Sequence, residues 1–309
     1  MVRLFVDTDT ASDDAVALVM ALRTPGVQVE GISTVAGNVD LDQATRNALT
    51  TVELCGADVR VHRGLAAPLL RTHRDARDIH GSDGMGNMNF PFPTRGADAR
   101  NAVDAMTAAI MGAPGQITLV TLGPLSNVAT ALLRTPEIAA AVREIVIMGG
   151  AYTRVGNIAS SPSSEYNMWE DPEAARIVFR CGAPITMVGI ELCRGDAVIT
   201  ADDQRRLRGL GTAYADFVLN INAFLQNAVA RFGITGIDLP DPVAMAVAID
   251  RDVLLEEARY HVDVETAGEL TRGETVVDIL GVSGHAPNVS VGLQLDAPRF
   301  KRMLEQAVT

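Results

Sequence analysis

Val2-Arg3-Leu4-Phe5-Val6-Asp7-Thr8-Asp9-Thr10-Ala11-Ser12-Asp13-Asp14-Ala15-Val16-Ala17-Leu18-Val19-Met20-Ala21-Leu22 opens the chain. Val2 to Val6 is an apolar run that reads as a strand, and Ala15 to Leu22 has the character of a helix. Between them four aspartates fall within the eight residues Asp7 to Asp14. Carboxylates gathered at the carboxyl end of a first strand repel one another, and a helix N-terminus offsets only about 0.3–1 kcal/mol per favourably placed charge. A bound cation is the remedy this spacing predicts. With no Cys or His interleaved, the ligands are hard oxygens, which suit Ca²⁺ or Mg²⁺ rather than zinc.

The same alternation continues outward. Strand-like runs at Val27 to Val35, Ile117 to Leu122, Ile145 to Met148 and Ile185 to Ile190 are separated by apolar-periodic stretches near residues 41–56, 101–112, 126–133 and 173–180. This pattern predicts βαβ units and an α/β fold with a mostly parallel central sheet flanked by helices. No linker divides residues 1–309, so one domain is expected. Ligands of such sheets lie outside the carboxyl ends of the strands, where the aspartates fall. Residues 71–99 are glycine- and proline-rich and read as a long binding loop, and 151–167 as a second irregular stretch. Residues 200–250 turn helical. Tyr260 to Val264, Glu274 to Leu280 and Val289 to Leu295 read as late strands, and Pro298 to Ala307 as a final helix.

A net charge of −12 disfavours nucleic acid and anionic membranes as partners. No apolar run approaches the roughly 18 residues that span a bilayer. Met1-Val2-Arg3 runs straight into the first strand without the succession of a signal peptide. Cys55, Cys181 and Cys193 have no metal-ligand spacing and cannot all pair, so a reducing cytoplasm is expected. An uncharged small molecule remains the expected partner.

Asp9 lies in the turn after the first strand, while Asp13 and Asp14 fall in the first turn of the helix. Successive helical residues diverge by about 100°, so Asp14 can face a metal beside Asp9 while Asp13 faces something bound there. Asp241-Pro242 and Asp171-Pro172 both have the form of an N-cap followed by proline. For Asp171 the cap is the expectation. For Asp241 the wider pattern points elsewhere.

That pattern resembles the inosine-uridine preferring nucleoside hydrolase family. The resemblance runs nearly end to end: the Asp7 to Asp14 signature, Val35-Ala36-Gly37-Asn38, His80-Gly81-Ser82-Asp83-Gly84-Met85-Gly86, Leu122-Gly123-Pro124-Leu125-Ser126-Asn127, Met148-Gly149-Gly150, Glu165-Tyr166-Asn167 and Asp241-Pro242. It implies hydrolysis of the N-glycosidic bond of ribonucleosides. It also implies a Ca²⁺ held by Asp9, Asp14, Asp241 and the main-chain carbonyl of Leu122, with Asp9 additionally taking a proton from the attacking water. Asp13 would hold the 2′-hydroxyl, and Asn38, Met148, Asn157, Glu165 and Asn167 would line the sugar. Amides and carboxylates suit a sugar that becomes oxocarbenium-like as the bond breaks. Homodimers or homotetramers are expected by the same resemblance.

Two departures stand out. Asn157 precedes Glu165 by eight residues where the family usually has six, so either the serine-rich loop bulges or the contact is lost. Pro240 stands where many members have a histidine that protonates the departing base, and proline has no proton to give. His80 is then the candidate by motif. A degenerate homologue that binds nucleosides without turnover is the alternative. The helix Tyr214 to Phe232 is expected to border the base, with Phe224, Asn227, Arg231 and Phe232 as possible contacts. The Asp7-Thr8-Asp9-Thr10 sequence also resembles the nucleophile motif of haloacid-dehalogenase-like phosphatases, but Ala11 and the lack of any lysine except Lys301 in the terminal helix argue against them. An EF-hand loop fails because Ser12 stands where it needs glycine.

Overall fold

The computed structural model describes residues 1–309, the side chain of Phe232 excepted. The strands are β1 (Val2–Thr8), β2 (Val27–Thr34), β3 (Val61–Arg63), β4 (Ile117–Thr121), β5 (Glu144–Met148), β6 (Ile185–Val188), β7 (Leu254–Val264), β8 (Thr275–Asp278) and β9 (Val289–Leu295). They form one nine-stranded sheet in the order β3-β2-β1-β4-β5-β6-β9-β7-β8. Every pairing from β3 to β9 is parallel, and β7 then pairs antiparallel with both β9 and β8.

The side-chain period of a strand divides the core between the two faces of this sheet. Leu4, Val6, Val120, Val146 and Met148 join one core with the helices Ser12–Arg23, Pro240–Ile249 and Ala297–Val308. Phe5, Leu119, Ile145 and Ile147 join the other, with the helices Ala102–Gly112, Ser126–Arg134 and Pro172–Phe179. Ser12–Arg23 is buried from Ser12 to Ala21. Its opening carboxylates are therefore carried into the interior with it.

The expected alternation is present, with two differences. β3 is three residues long, too short to announce itself by periodicity, and is held by pairing with β2 and by a bridge from His62 to Asp98. β7 begins at Leu254, six residues before the expected start, because charged Glu256, Glu257 and Arg259 mask a strand whose outer face is in solvent. Asp171 is the expected cap: its carboxylate accepts from Ala174 N at 3.1 Å, Ser126 Oγ at 2.6 Å and Leu69 N at 2.8 Å. Asp241 is not a cap. The helix starts one residue earlier, at Pro240, and Asp241 turns inward within its first turn.

Candidate active site

The carboxyl ends of β1 and β4 and the N-termini of helices Ser12–Arg23 and Pro240–Ile249 converge. Each of Asp13, Asp14 and Asp241 offers a carboxylate oxygen, and these oxygens lie within 4.8 Å of one another in the interior. Two full charges at that separation repel by about 3–4 kcal/mol at an effective dielectric near 20, several times what one helix terminus returns. Burial first, and mutual repulsion second, hold Asp9, Asp13 and Asp241 well above the usual carboxylate range. Asp14 is raised too, chiefly by burial, against hydrogen bonds from Thr8 Oγ1 at 2.6 Å and Ala11 N at 2.9 Å.

Asp9 lies against Asp14 from the strand side. Its Oδ2 accepts from Asn38 N at 2.6 Å, whereas its Oδ1, like Asp13 Oδ1, is buried without a partner. A Cβ at Gly37 would stand 2.1 Å from Asp9 Oδ2, and one at Gly123 would stand 2.7 Å from Oδ1. Only glycines let both turns close on this carboxylate. Beneath it Asp7 Oδ1 accepts from Ser33 Oγ and from Asn127 Nδ2, the latter at 2.8 Å, and Asn127 also donates to Thr34 O at 3.0 Å. One amide thus fixes the ends of β1 and β2 together.

Across the cluster, Asn167 Nδ2 donates to the Leu122 carbonyl at 2.8 Å and lies 3.3 Å from both the carbonyl and the sulfur of Met148. Asn38 Nδ2 reaches Asp14 Oδ2 at 3.5 Å. Glu165 is a helix N-cap that accepts from Asn167 N at 2.9 Å, Gly150 N at 3.0 Å and Met168 N at 3.3 Å. Burial still outweighs those three donors and pushes its carboxyl up to about 7.

The glycine-rich loop closes over this floor. Asn47 Nδ2 donates to both Thr10 O and Asp83 O at 2.9 Å, fastening the loop to the aspartate turn. Gly86 has φ +68 and no room for a Cβ, which would stand 2.5 Å from Ile221 O. His80 is buried, its Nδ1 2.9 Å from Ser12 Oγ and 3.7 Å from Asp13 Oδ1. Burial lowers its pKa to about 4, so in this arrangement the ring is neutral near pH 7.

A cavity of about 690 Å³ lies above, within the size of small-molecule sites. Asp13, Asn38, His80, Leu122 and Met148 line it, as do Asn157, Glu165, Asn167 and Asp241, while Asp9 and Asp14 sit below its surface. The loop around Asn157 bulges: Gly156 N and Asn157 N bond to Pro162 O and Ser164 O, so Asn157 stays on the cavity wall. The expected helix Tyr214 to Phe232 is instead Ala213–Ile221, Ala223–Val229 and a 3-10 turn, Ala230–Phe232. Leu225, Val229 and Arg231 of that region face the cavity. Phe224 and Asn227 do not line it, and the side chain of Phe232 lies outside the described residues. Sequence reasoning missed Ser12 as the partner of His80, and Arg194 and Asp238 on the wall. Asp238 was legible as a carboxylate beside Pro240.

Comparison with known proteins gives this arrangement a class. The plant nucleoside hydrolase PpNRh1 superposes with a TM-score of 0.93 at 32% identity, over 99% of this chain and 98% of that one. A purine-preferring ribonucleoside hydrolase from Gardnerella vaginalis gives 0.91 at 31%, with the same coverage. In sequence, the pyrimidine-specific ribonucleoside hydrolase RihB of Escherichia coli strain SE11 is 36% identical over 307 residues, 99% of this chain and 96% of its own length. The model of the inosine-uridine preferring nucleoside hydrolase family matches residues 4–302, and the chain belongs to that family. It is accordingly a hydrolase of ribonucleoside N-glycosidic bonds.

Proposed function

We propose that the hydrolysis is assisted by Ca²⁺ held by Asp9, Asp14, Asp241 and the Leu122 carbonyl. The buried carboxylate cluster on the cavity floor carries this reading, because Asp9 Oδ1 and Asp13 Oδ1 have no hydrogen-bond partner among the described residues and burial and mutual repulsion raise the carboxyls of the cluster. All-oxygen donors of this kind suit a hard cation with a flexible coordination shell better than octahedral Mg²⁺. When bound, Ca²⁺ would ligate ribose hydroxyls and lower the pKa of a water beside them.

The residues then divide the work. Asp9 takes the proton of the attacking water. Asp13 receives the 2′-hydroxyl, and Asn38, Asn157, Glu165 and Asn167 orient the rest of the sugar over Met148. Their negative and dipolar groups favour the sugar as it becomes cationic. Family membership is also the ground for proposing a homodimer or homotetramer, and Cys55, Cys181 and Cys193, which cannot all pair, are the ground for placing it in the cytoplasm.

Ribose release from a panel of purine and pyrimidine ribonucleosides and nicotinamide riboside tests the reading. Turnover should vanish on exhaustive chelation and return with Ca²⁺. Undiminished turnover after chelation would remove the metal from the proposal. The panel also fixes base preference, for which the relatives carry both purine and pyrimidine names.

A further inference from the structure

The reaction releases a base, and Pro240, which lines the cavity, has no proton to give it. Most ionisable groups on the wall are already engaged. Glu165 accepts three main-chain N–H bonds. Tyr166 spends its hydroxyl proton on Arg74 O at 2.7 Å. Asp75 pairs with Arg77 and Asp78 with Arg231. His80 keeps one ring nitrogen on Ser12, and Asp13 and Asp241 belong to the carboxylate cluster.

Asp238 differs from all of these. It is 8% exposed and lines the cavity, and its carboxyl has only its own main-chain N–H and the more distant Arg194 guanidinium to answer it, with no side-chain hydrogen bond or close ion pair among the described residues. Its backbone is fixed from both sides. Ile237 and Ile199 exchange N–H bonds at 2.8 and 3.1 Å, Gly236 lies so close to Ile199 that a Cβ would stand 2.6 Å from its carbonyl, and the helix begins two residues later at Pro240. The same stretch offers apolar Ile234, which with Leu225 and Val229 walls the cavity where a planar ring can pack.

We propose that Asp238 is the catalytic acid that gives a proton to the departing base, a role that rests on the proposed hydrolysis. The C1′–N bond breaks with its electron pair going to the base, and the Asp238 carboxyl proton goes to that base. The water oxygen bonds to C1′ while its proton goes to Asp9. Asp238 is left as a carboxylate and Asp9 as an acid, and exchange of one proton with solvent at each resets both. The sum is ribonucleoside plus water giving ribose plus base. Burial raises the Asp238 carboxyl, opposed first by its own main-chain N–H and then by the Arg194 guanidinium, while Asp13 and the Cys193 thiol share its surroundings.

The experiment compares Asp238→Asn with the wild-type Ca²⁺-loaded enzyme on inosine, uridine and p-nitrophenyl riboside, whose leaving group needs no proton. Loss of a general acid costs about 10²–10⁴ in rate. Asp238→Asn should lose about 10²-fold or more in kcat on the nucleosides and less than about threefold on p-nitrophenyl riboside. Equal losses on both substrates, or no loss on either, overturn the proposal. Wild-type pH profiles provide a second measure that needs no variant: an alkaline limb should appear with the nucleosides and be absent with p-nitrophenyl riboside. If His80→Ala removes that limb, the acid is His80 and the assignment to Asp238 is wrong. Should the wild-type enzyme release ribose from none of these substrates, the proposed hydrolysis itself fails.

Discussion

His80 Nδ1 stands 2.9 Å from Ser12 Oγ, so the loop that covers the cavity is tied to the helix that carries Asp13 and Asp14. Burial lowers the His80 pKa from 6.5 to about 4, so folding favours the neutral ring. The stability this contributes is complete above pH 6.5 and is lost as pH falls toward 4. The full shift corresponds to on the order of 3 kcal/mol. Relative to His80→Gln, the wild-type protein should therefore lose stability between pH 6.5 and 4, and an NMR titration should show no His80 midpoint near 6.5. A midpoint there would mean that the loop stands open in solution.

Glu165 and Asp7 shift the other way, both raised to about 7, chiefly by burial. Folding favours their protonated forms. Their contribution is complete below about pH 4 and is lost as pH rises through 7. In chelator, the melting temperature should fall between pH 6 and pH 8. Because the Asp9, Asp13, Asp14 and Asp241 carboxyls are raised as well, added Ca²⁺ should raise the melting temperature more at pH 8 than at pH 6. Calorimetry with and without Ca²⁺ measures both slopes.

Gly37 touches no substrate in the proposed arrangement, yet a methyl there would collide with Asp9 Oδ2 at 2.1 Å. Gly37→Ala should displace Asp9 and weaken Ca²⁺ by tenfold or more, with the fold retained. Titration calorimetry reads the affinity and circular dichroism the fold. Wild-type affinity in this variant would show that Asp9 is not a ligand.

Asp9→Ala should abolish most turnover, because the proposed base and one metal ligand leave together. Asn38→Ala and Asn167→Ala each remove one oriented dipole, a change that typically costs on the order of 10²–10³ in rate. The order of the three kcat values, with Asp9→Ala lowest, is the test. Full activity in Asp9→Ala refutes its role.

The parallel half of the sheet was legible because its strands are buried on both faces and read as continuous Val and Ile runs. β7 was legible only over Tyr260 to Val264, where Tyr260, Val262 and Val264 alternate with polar residues, and β3 was too short to have a period. In the site, the crowding of Asp7 to Asp14 announced itself through its own electrostatics. The convergence of Asp241 with Asp13 and Asp14 depends on how two helices pack together on one face of the sheet, which no local spacing encodes. Asp238 escaped assignment for a related reason. Its distinction is burial on the cavity wall without a close side-chain partner among the described residues, and that is a property of the folded neighbourhood.

The serines that enlarge the loop after β5 have a mechanical consequence. Ser161 Oγ lies 2.9 Å from Arg272 O and 3.1 Å from Leu270 O, with one proton to give to either, Ser164 Oγ donates to Arg272 O, and the Arg272 guanidinium lies 4.1 Å from the centre of the Trp169 ring. Through them the wall bearing Asn157 and Trp169 is hung from the connection between β7 and β8, at the antiparallel margin of the sheet. That wall is therefore held from two sides, by the antiparallel margin and, through Asn167 on the Leu122 carbonyl, by the catalytic floor. Loosening the connection should relax grip on the sugar more than it weakens the cation, because Asn167 is the one strut from this wall that reaches a proposed ligand of the cation.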